Sequence, residues 1–454
     1  MWHSRRAPAA VAVALAMAGT GTALAPTAVG AVDGGAVGRC EVHTLALPDG
    51  VPEGLVVDVE LVRGRGVVYY GSTIVVGADG EDVQQPVVWF GLQGEPVPVG
   101  PEGSPTGVAF ELTPSGLING QSINPDTGRW QGWVQKLLTG RVTWVDPGPG
   151  DVEPAEVYFR RINDRGAAAG TAWTEDGGLA LRWTWFGREP VELPGGDEGI
   201  AEGWDINNHR DVVGVVAVRP PGEEDLLVPR PTLWDARNRP TPMATVGLDG
   251  YAVLLNDRRQ AAGAVGVGPD FSDAHAEAAF WETPDSVVGL GVVPGGVSSA
   301  AYGLGEDGWV VGVTGAPAPD APANPDDVAG YGFLWPGGDP TSMRILPSPY
   351  ALEHGLTDWR QWFGGAAHGV NERLRQVGTA SHGGYLPDGR LMLVPTVYVN
   401  ADRCGTAVPT SHTPAVADES TSESFAVDAR SAAGTSPAHA WSSHVGRLVR
   451  DLDR

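Results

Sequence analysis

Ile162-Asn-Asp-Arg-Gly-Ala-Ala-Ala-Gly170 begins on an apolar residue, turns through Asn, Asp and Gly, and closes on small residues and a second glycine. Asn, Asp and Gly tolerate the positive φ of tight hairpins, so the stretch reads as a turn between two short strands. It returns as Ile206-Asn-Asn-His-Arg-Asp-Val-Val-Gly214 and Leu255-Asn-Asp-Arg-Arg-Gln-Ala-Ala-Gly263. Two more copies are Leu304-Gly-Glu-Asp-Gly-Trp-Val-Val-Gly312 and Val370-Asn-Glu-Arg-Leu-Arg-Gln-Val-Gly378. Leu112-Thr-Pro-Ser-Gly-Leu-Ile-Asn-Gly120 is a weaker copy, and Val67-Val-Tyr-Tyr-Gly71 keeps only the second half. The closing glycines at 71, 120, 170, 214, 263, 312 and 378 are spaced by 49, 50, 44, 49, 49 and 66 residues. A fixed period of this length marks a repeat architecture.

A second marker keeps phase with the first. After each glycine an apolar stretch ends in an aromatic: Trp89, Trp133, Trp183, Trp234, Trp281, Trp335 and Tyr398. A third stretch ends near Pro or Gly, as in Val191-Glu-Leu-Pro-Gly195 and Val288-Gly-Leu-Gly-Val-Val-Pro294. Four short antiparallel strands in a unit of this size correspond to one blade of a β-propeller. The fold class expected is therefore all-β, a β-propeller of about seven four-stranded blades, with eight as the alternative.

The composition agrees. Gly (65) and Pro (38) make up nearly a quarter of the 454 residues, which leaves little room for long helices. Hydrophobic content of 42% is enough for a sizeable core. The net charge of −25, with 55 acidic against 30 basic residues, repels phosphate backbones and excludes nucleic acid as a partner class.

The units at 162, 206, 255 and 304, each followed by a stretch such as Gly332-Phe-Leu-Trp335, resemble the bacterial extracellular HAF repeat. The resemblance covers roughly residues 41–400 and is weakest in the first two units. It implies a secreted, propeller-like protein, and the family has no established reaction or ligand to carry over. Gly305 stands where the repeat has its turn Asn, and Arg259 and Leu374 stand where it has Gly.

The ends of the chain extend this reading. Arg5 and Arg6 followed by the apolar run Ala7–Ala18 read as a secretory signal over residues 1–31, with cleavage after Ala31 preferred to Ala25. Ser4-Arg5-Arg6 is a partial twin-arginine pattern, which leaves the export route open. No segment is long enough for a membrane span. The two cysteines, Cys40 and Cys404, are expected to form a disulfide in an oxidising compartment. Cys40 precedes Val42–Pro48, which looks like a final strand without its own blade, and Cys404 follows the last aromatic marker. The N-terminal strand should therefore complete the last blade of a propeller spanning 40–404. Residues 405–424 read as a Ser/Thr/Pro-rich linker and 425–454 as a degenerate repeat-like tail.

Chemistry is harder to find. There is no Gly-x-Ser-x-Gly elbow, and the lone lysine, Lys136, does not sit in a phosphate-binding loop. His209, His275, His354, His368 and His382 lie singly and read as surface or turn residues rather than metal ligands. Asp79-Gly-Glu-Asp82 and Asn324-Pro-Asp-Asp327 are acidic clusters of a kind that can hold calcium. Neither has EF-hand spacing, and solvated loops are the preferred reading. Glu175-Asp-Gly177 and Glu306-Asp-Gly308 read as hairpin turns. The periodic tryptophans read as wedges of the core. Trp359, Arg360, Trp362 and Phe363 fall in the insertion behind the 66-residue spacing, and they form the candidate ligand-binding group because insertions in repeat proteins map to loops on binding faces.

Two functions follow. The preferred one is a monomeric, secreted, non-enzymatic module that binds an extracellular protein or glycan. The alternative is a glycan-acting hydrolase or lyase whose carboxylates converge at the central channel, about 5–10 Å apart.

Overall fold

The computed structural model describes residues 39–412, apart from 48–55, 62–67, 77–81, 105, 146–155, 175–176, 197–198, 220–226, 248, 267–275, 318–327, 362–364, 372 and 386–390. The signal segment and most of the tail therefore lie outside the described residues.

After strand β1 (Glu41–Thr44), six blades follow in chain order. The first contains β2 (Val56–Leu61), β3 (Val68–Val76), β4 (Asp82–Phe90) and β5 (Pro96–Pro98). The second contains β6 (Gly107–Leu112), β7 (Leu117–Ile123), β8 (Trp130–Lys136) and β9 (Arg141–Trp144). The third contains β10 (Glu156–Ile162), β11 (Ala168–Thr174), β12 (Gly177–Trp183) and β13 (Val191–Glu192). The fourth contains β14 (Ala201–Ile206), β15 (Val212–Val218), β16 (Val228–Trp234) and β17 (Pro240–Pro242). The fifth contains β18 (Gly250–Leu255), β19 (Ala261–Gly266), β20 (Ala276–Thr283) and β21 (Ser286–Gly291). The sixth contains β22 (Ser298–Leu304), β23 (Val310–Pro317), β24 (Val328–Trp335) and β25 (Ser342–Ile345).

The seventh blade has β26 (Gly365–Asn371), β27 (Gln376–Tyr385) and β28 (Leu391–Val399), and its fourth strand is β1. Glu41 pairs with Val399 and Thr44 with Thr396. The N-terminal strand thus closes the ring, and Cys40 and Cys404 are bonded across the closure, 364 residues apart in sequence. The protein is a seven-bladed β-propeller.

The repeated residues earn their place between blades. Asn163 Oδ1 accepts from the backbone N–H groups of Arg165 and Ala167, both at 3.0 Å, and so holds its own turn. Its Nδ2 donates to Asn207 O of the next blade at 2.8 Å. Asn207 repeats this onto Asn256 O, and Asn256 onto Gly305 O. One residue on, a second ladder runs the same way: the N–H groups of Asp164, Asn208 and Asp257 donate to Asn208 Oδ1, Asp257 Oδ1 and Glu306 Oε2 in turn. Glu306 is therefore the end of an inter-blade clamp as well as a turn residue. Arg259 adopts the left-handed φ of 64° in place of Gly, and its guanidinium bonds the buried Asp211 of the preceding blade at 2.7 Å. In the seventh blade the left-handed residue is Arg375 rather than Leu374.

The periodic aromatics are wedges. Trp89, Trp133, Trp183, Trp234, Trp281 and Tyr398 are fully buried, and Trp335 nearly so. Trp89 Nε1 donates to Ala46 O, Trp234 Nε1 to Pro194 O and Trp281 Nε1 to Ala244 O, each on the preceding blade. Tyr398, which stands in the tryptophan's place, donates its hydroxyl to Pro347 O at 2.7 Å. Burying one such ring stabilises by about 2–3 kcal/mol, so the wedges carry much of the cohesion between blades.

Two expectations are corrected. The stretch read as a linker from residue 405 begins with β29 (Thr406–Pro409), a fifth strand on the outer edge of the sixth blade. The edge of β25 has free backbone groups, and the turn at Cys404–Gly405 delivers the chain to them. His368 and His382 are not surface residues: His382 is fully buried against Tyr350, and His368 sits inside the ring.

Candidate functional site

The first strand of each blade lies toward the axis, and successive first strands touch from β6 round through β26 to β2. Each contains one β-bulge, and in the second to seventh blades its extra residue lies ten residues before the closing glycine. Register breaks between Val56 and Asp58, Ala109 and Glu111, Phe159 and Arg161, and Gly203 and Asp205. It breaks again between Ala252 and Leu254, Ala301 and Gly303, and Ala367 and Gly369. A bulge leaves one residue unpaired and re-aims its side chain. The seven residues left over are Val57, Phe110, Arg160, Trp204, Val253, Tyr302 and His368.

The bulge also explains the closing glycines. It pushes a carbonyl of the first strand against the second, so a Cβ on Gly214 would lie 1.9 Å from Glu202 O. A Cβ on Gly263 would lie 1.8 Å from Tyr251 O. The glycine of the repeat is thus what the axial bulge demands of its neighbour.

Phe110, Arg160, Trp204, Tyr302 and His368 are half-buried, between neighbours that are mostly buried. They meet across blade boundaries. The Arg160 guanidinium lies 4.4 Å from the Trp204 ring, 4.9 Å from Tyr158 and 6.0 Å from Phe110. Such cation–π contacts hold the cation in a walled position. Across the ring, Tyr302 and His368 stack at 5.3 Å with an 11° interplanar angle.

Electrostatics unify the two sides. Glu202, on the fourth blade, is 4% exposed, and burial raises its carboxyl to about 7 despite the opposing pull of Arg160. Arg160 is itself lowered by burial, with Glu202 and Tyr158 acting the other way. Burial, helped by Arg161, lowers His368 to about 4, so its imidazole is neutral at pH 7. Arg161 is ion-paired with Glu111 of the second blade.

Several buried polar atoms at this place lack a hydrogen-bond partner among the described residues: Arg160 Nε, Glu202 Oε2, Trp204 Nε1 and Asn119 Oδ1. The Trp204 indole lies close enough to Glu202 to favour its charged form, yet neither atom reaches normal hydrogen-bond geometry with the other. Unmet buried polar groups are costly and rare, and they concentrate where a ligand or water completes them.

With this geometry in hand, known proteins add the fold and no more. No protein-family model matches the chain, and no curated protein matches its sequence. Among solved structures it is similar to the β-propeller domain of the Trilobed protease from Pyrococcus furiosus, at 12% identity and a TM-score of 0.50. That match covers 81% of this chain and 99% of the other. It also resembles the acylaminoacyl peptidase of Pyrococcus horikoshii (13%, TM-score 0.46), covering 74% of this chain and half of the peptidase. TolB from Acinetobacter baumannii is more distant (15%, TM-score 0.35), with 61% of this chain and 60% of TolB covered.

The candidates read from sequence lie elsewhere. The insertion contains α1 (Pro349–Glu353) and a 3₁₀ turn at Trp359–Gln361. Trp359 is 5% exposed, edge-on to Tyr331 at 5.0 Å, so it packs the insertion onto the sixth blade rather than offering a free face. Arg360 lies over the same ring at 4.9 Å and remains exposed. Trp362 and Phe363 lie outside the described residues, as do His275 and nearly all of the acidic clusters at 79–82 and 324–327. Among the described residues, no group of three His, Cys, Asp or Glu side chains is arranged to hold a metal ion, and no helix is long and apolar enough to cross a membrane. The axial ring was missed. Its sequence signal is position: in the second to seventh blades the bulge residue lies two residues before the apolar residue that begins the repeat.

Proposed function

We propose that this protein is a secreted, HAF-like propeller that works outside the cell as a monomeric, non-enzymatic binding module, and that it takes its ligand at the axial ring. The carrying observation is the set of unpaired buried polar atoms of Arg160, Glu202 and Trp204 among half-buried aromatics. Ligand sites combine apolar walls with a few placed polar groups, and these residues supply both kinds of group. The Cys40–Cys404 bond suits an oxidising compartment. The arrangement favours binding over glycan cleavage, because Glu111 is ion-paired with Arg161 and Glu202 lies in the field of Arg160. A carboxylate ion-paired as Glu111 is makes a poor nucleophile or base, which a glycosidase needs beside a raised acid such as Glu202.

The test is binding of the purified mature protein to a cell-envelope fraction, compared with Trp204→Ala and Arg160→Ala variants that melt normally. Saturable binding that falls at least tenfold in both variants is expected. Equal binding by all three proteins would overturn the axial assignment, and glycan turnover by the wild type would replace binding with catalysis.

A further inference from the structure

The turn between the third and fourth strands of a blade lies at the same end of the propeller as the Asn turn. Leu137 N–H donates to Gly116 O and Phe186 N–H to Gly166 O, both at 3.0 Å. The fold does not ask for large apolar residues at these tips. In the fourth to seventh blades they are Ala236-Arg237-Asn238, Pro284-Asp285, Gly337-Gly338-Asp339 and Ala401-Asp402-Arg403. The first three blades instead present Phe90, Leu138 and Trp185, which are 56%, 88% and 45% exposed. Among the described residues, six of the seven large apolar side chains left exposed belong to these three blades, so the bias is regional rather than scattered. Trp185 is also held in place: its ring stacks on Phe186 at 4.5 Å, and a Cβ on Gly166 would lie 2.4 Å from it. Apolar groups gathered in one exposed region mark an interaction surface.

Three features choose the partner. Leu138, the most exposed of the three, has no ring, so a saccharide that stacks on aromatics would leave it unmet. The tips stand on separate blades, and exposed Gln93, Glu95, Thr139 and Arg165 interrupt the surface that a protein partner would need. Cations flank the apolar groups: Lys136, the lone lysine, and Arg141 bracket Leu138, while Arg165 and Arg188 lie on the turns around Trp185, and all four are exposed. They outnumber Glu95, Asp164 and Glu189 of the same turns, in a chain whose net charge is −25. A lipid surface fits this arrangement. Its hydrocarbon lies beneath a layer of phosphates, so separate tips can each enter it while the long cationic side chains reach the phosphates. We infer that this end of the first three blades rests on a phospholipid bilayer, with Phe90, Leu138 and Trp185 entering its interface. The acidic remainder of the protein is repelled by an anionic surface, so the apolar tips carry the binding and zwitterionic lipid is enough. The contact is peripheral and stands apart from the axial ring.

The test is sedimentation of the mature protein with sucrose-loaded phosphatidylcholine vesicles. The wild type should partition onto them saturably. Leu138→Asp should weaken partition at least tenfold and Phe90→Ser at least threefold. Both positions are exposed, so both variants should melt as wild type. Trp185→Ser should also lose at least threefold, whereas Trp185→Leu, which stays apolar, should recover most of that loss. Val246→Asp, an exposed position on the connection between the fourth and fifth blades, should sediment as wild type. So should Arg160→Ala, which keeps this surface separable from the axial site. No partition onto phosphatidylcholine, or equal partition by wild type, Leu138→Asp and Phe90→Ser, would overturn the inference. Binding that requires phosphatidylglycerol in the vesicles and vanishes at about 0.5 M salt would overturn it too, because charge rather than the apolar tips would then carry the contact.

Discussion

Asn163, Asn207 and Asn256 do one job three times over: each holds its own turn and clamps the next blade. Three residues earlier on the same strands stand Arg160, Trp204 and Val253, which share no chemistry. Both sets occupy equivalent places in neighbouring blades, so geometry alone does not separate them. The difference is what each residue touches. An Asn at the turn meets backbone atoms that are identical in every blade, whereas a bulge residue meets the differing side chains of other blades, as Arg160 meets Phe110 and Trp204, and Tyr302 meets His368. Repetition therefore marks the framework, and its loss at a fixed position marks the place where blades are free to differ.

Two consequences follow for stability. Framework changes should lower it while leaving the axial chemistry intact, and axial changes should do the reverse. The largest effect is expected at the closure. Removing the 364-residue covalent loop with Cys40→Ser should cost about 2–5 kcal/mol, below the roughly 6 kcal/mol ceiling of the chain-entropy argument. Because blades contact only their neighbours, amides of β1 and β28 should exchange first. Uniform acceleration of exchange around the ring would show that the closure is no weaker than any other blade boundary.

A smaller but sharper loss is expected from Gly263→Ala. The added Cβ would lie 1.8 Å from Tyr251 O, a backbone atom that can only move with the bulge, so about 3 kcal/mol should be lost in denaturant unfolding. Gly187→Ala, whose Cβ would meet only ring atoms of Trp185 at 3.5 Å, should change stability by no more than about 0.5 kcal/mol. Equal effects at the two sites would mean that the glycines of the repeat are not tied to the bulges.

Much of this framework was legible because it repeats. The turn motif, the wedge aromatics, the blade count and the N-terminal strand crossing to the last blade all follow from phase along the chain. The axial ring was illegible for the converse reason: Phe110, Arg160, Trp204, Tyr302 and His368 look like unrelated residues until the bulges align them. Trp359 misled because an aromatic in an irregular insertion has two fates, and here the ring of Tyr331 supplied a surface to bury it. The strand at 406–409 was hidden by a composition that suits a linker equally well, since four residues on an open sheet edge need no distinctive pattern.

The last test sets the stability of the fold against the axial chemistry at one residue. Burial raises Glu202 from 4.5 to about 7 in the folded protein, while Arg160 and the Trp204 indole pull it down and Tyr158 lies against the same guanidinium. Between these values the folded protein holds a proton that the unfolded chain has released, so stability falls as pH rises through this window. The penalty is absent below about pH 4.5 and complete above about pH 7. Glutamine cannot ionise, so Glu202→Gln should match wild type at pH 4 and exceed it by up to about 3 kcal/mol at pH 8. His368 runs the other way: held neutral down to about 4, it withdraws stability as pH falls from 6.5, and Glu202→Gln leaves that limb unchanged. A gain that does not depend on pH would mean that the Glu202 carboxyl titrates alike in the folded and unfolded chain, so that burial does not raise it. A pH-dependent gain accompanied by loss of the bound ligand would show a residue retained for binding at the expense of the fold that carries it.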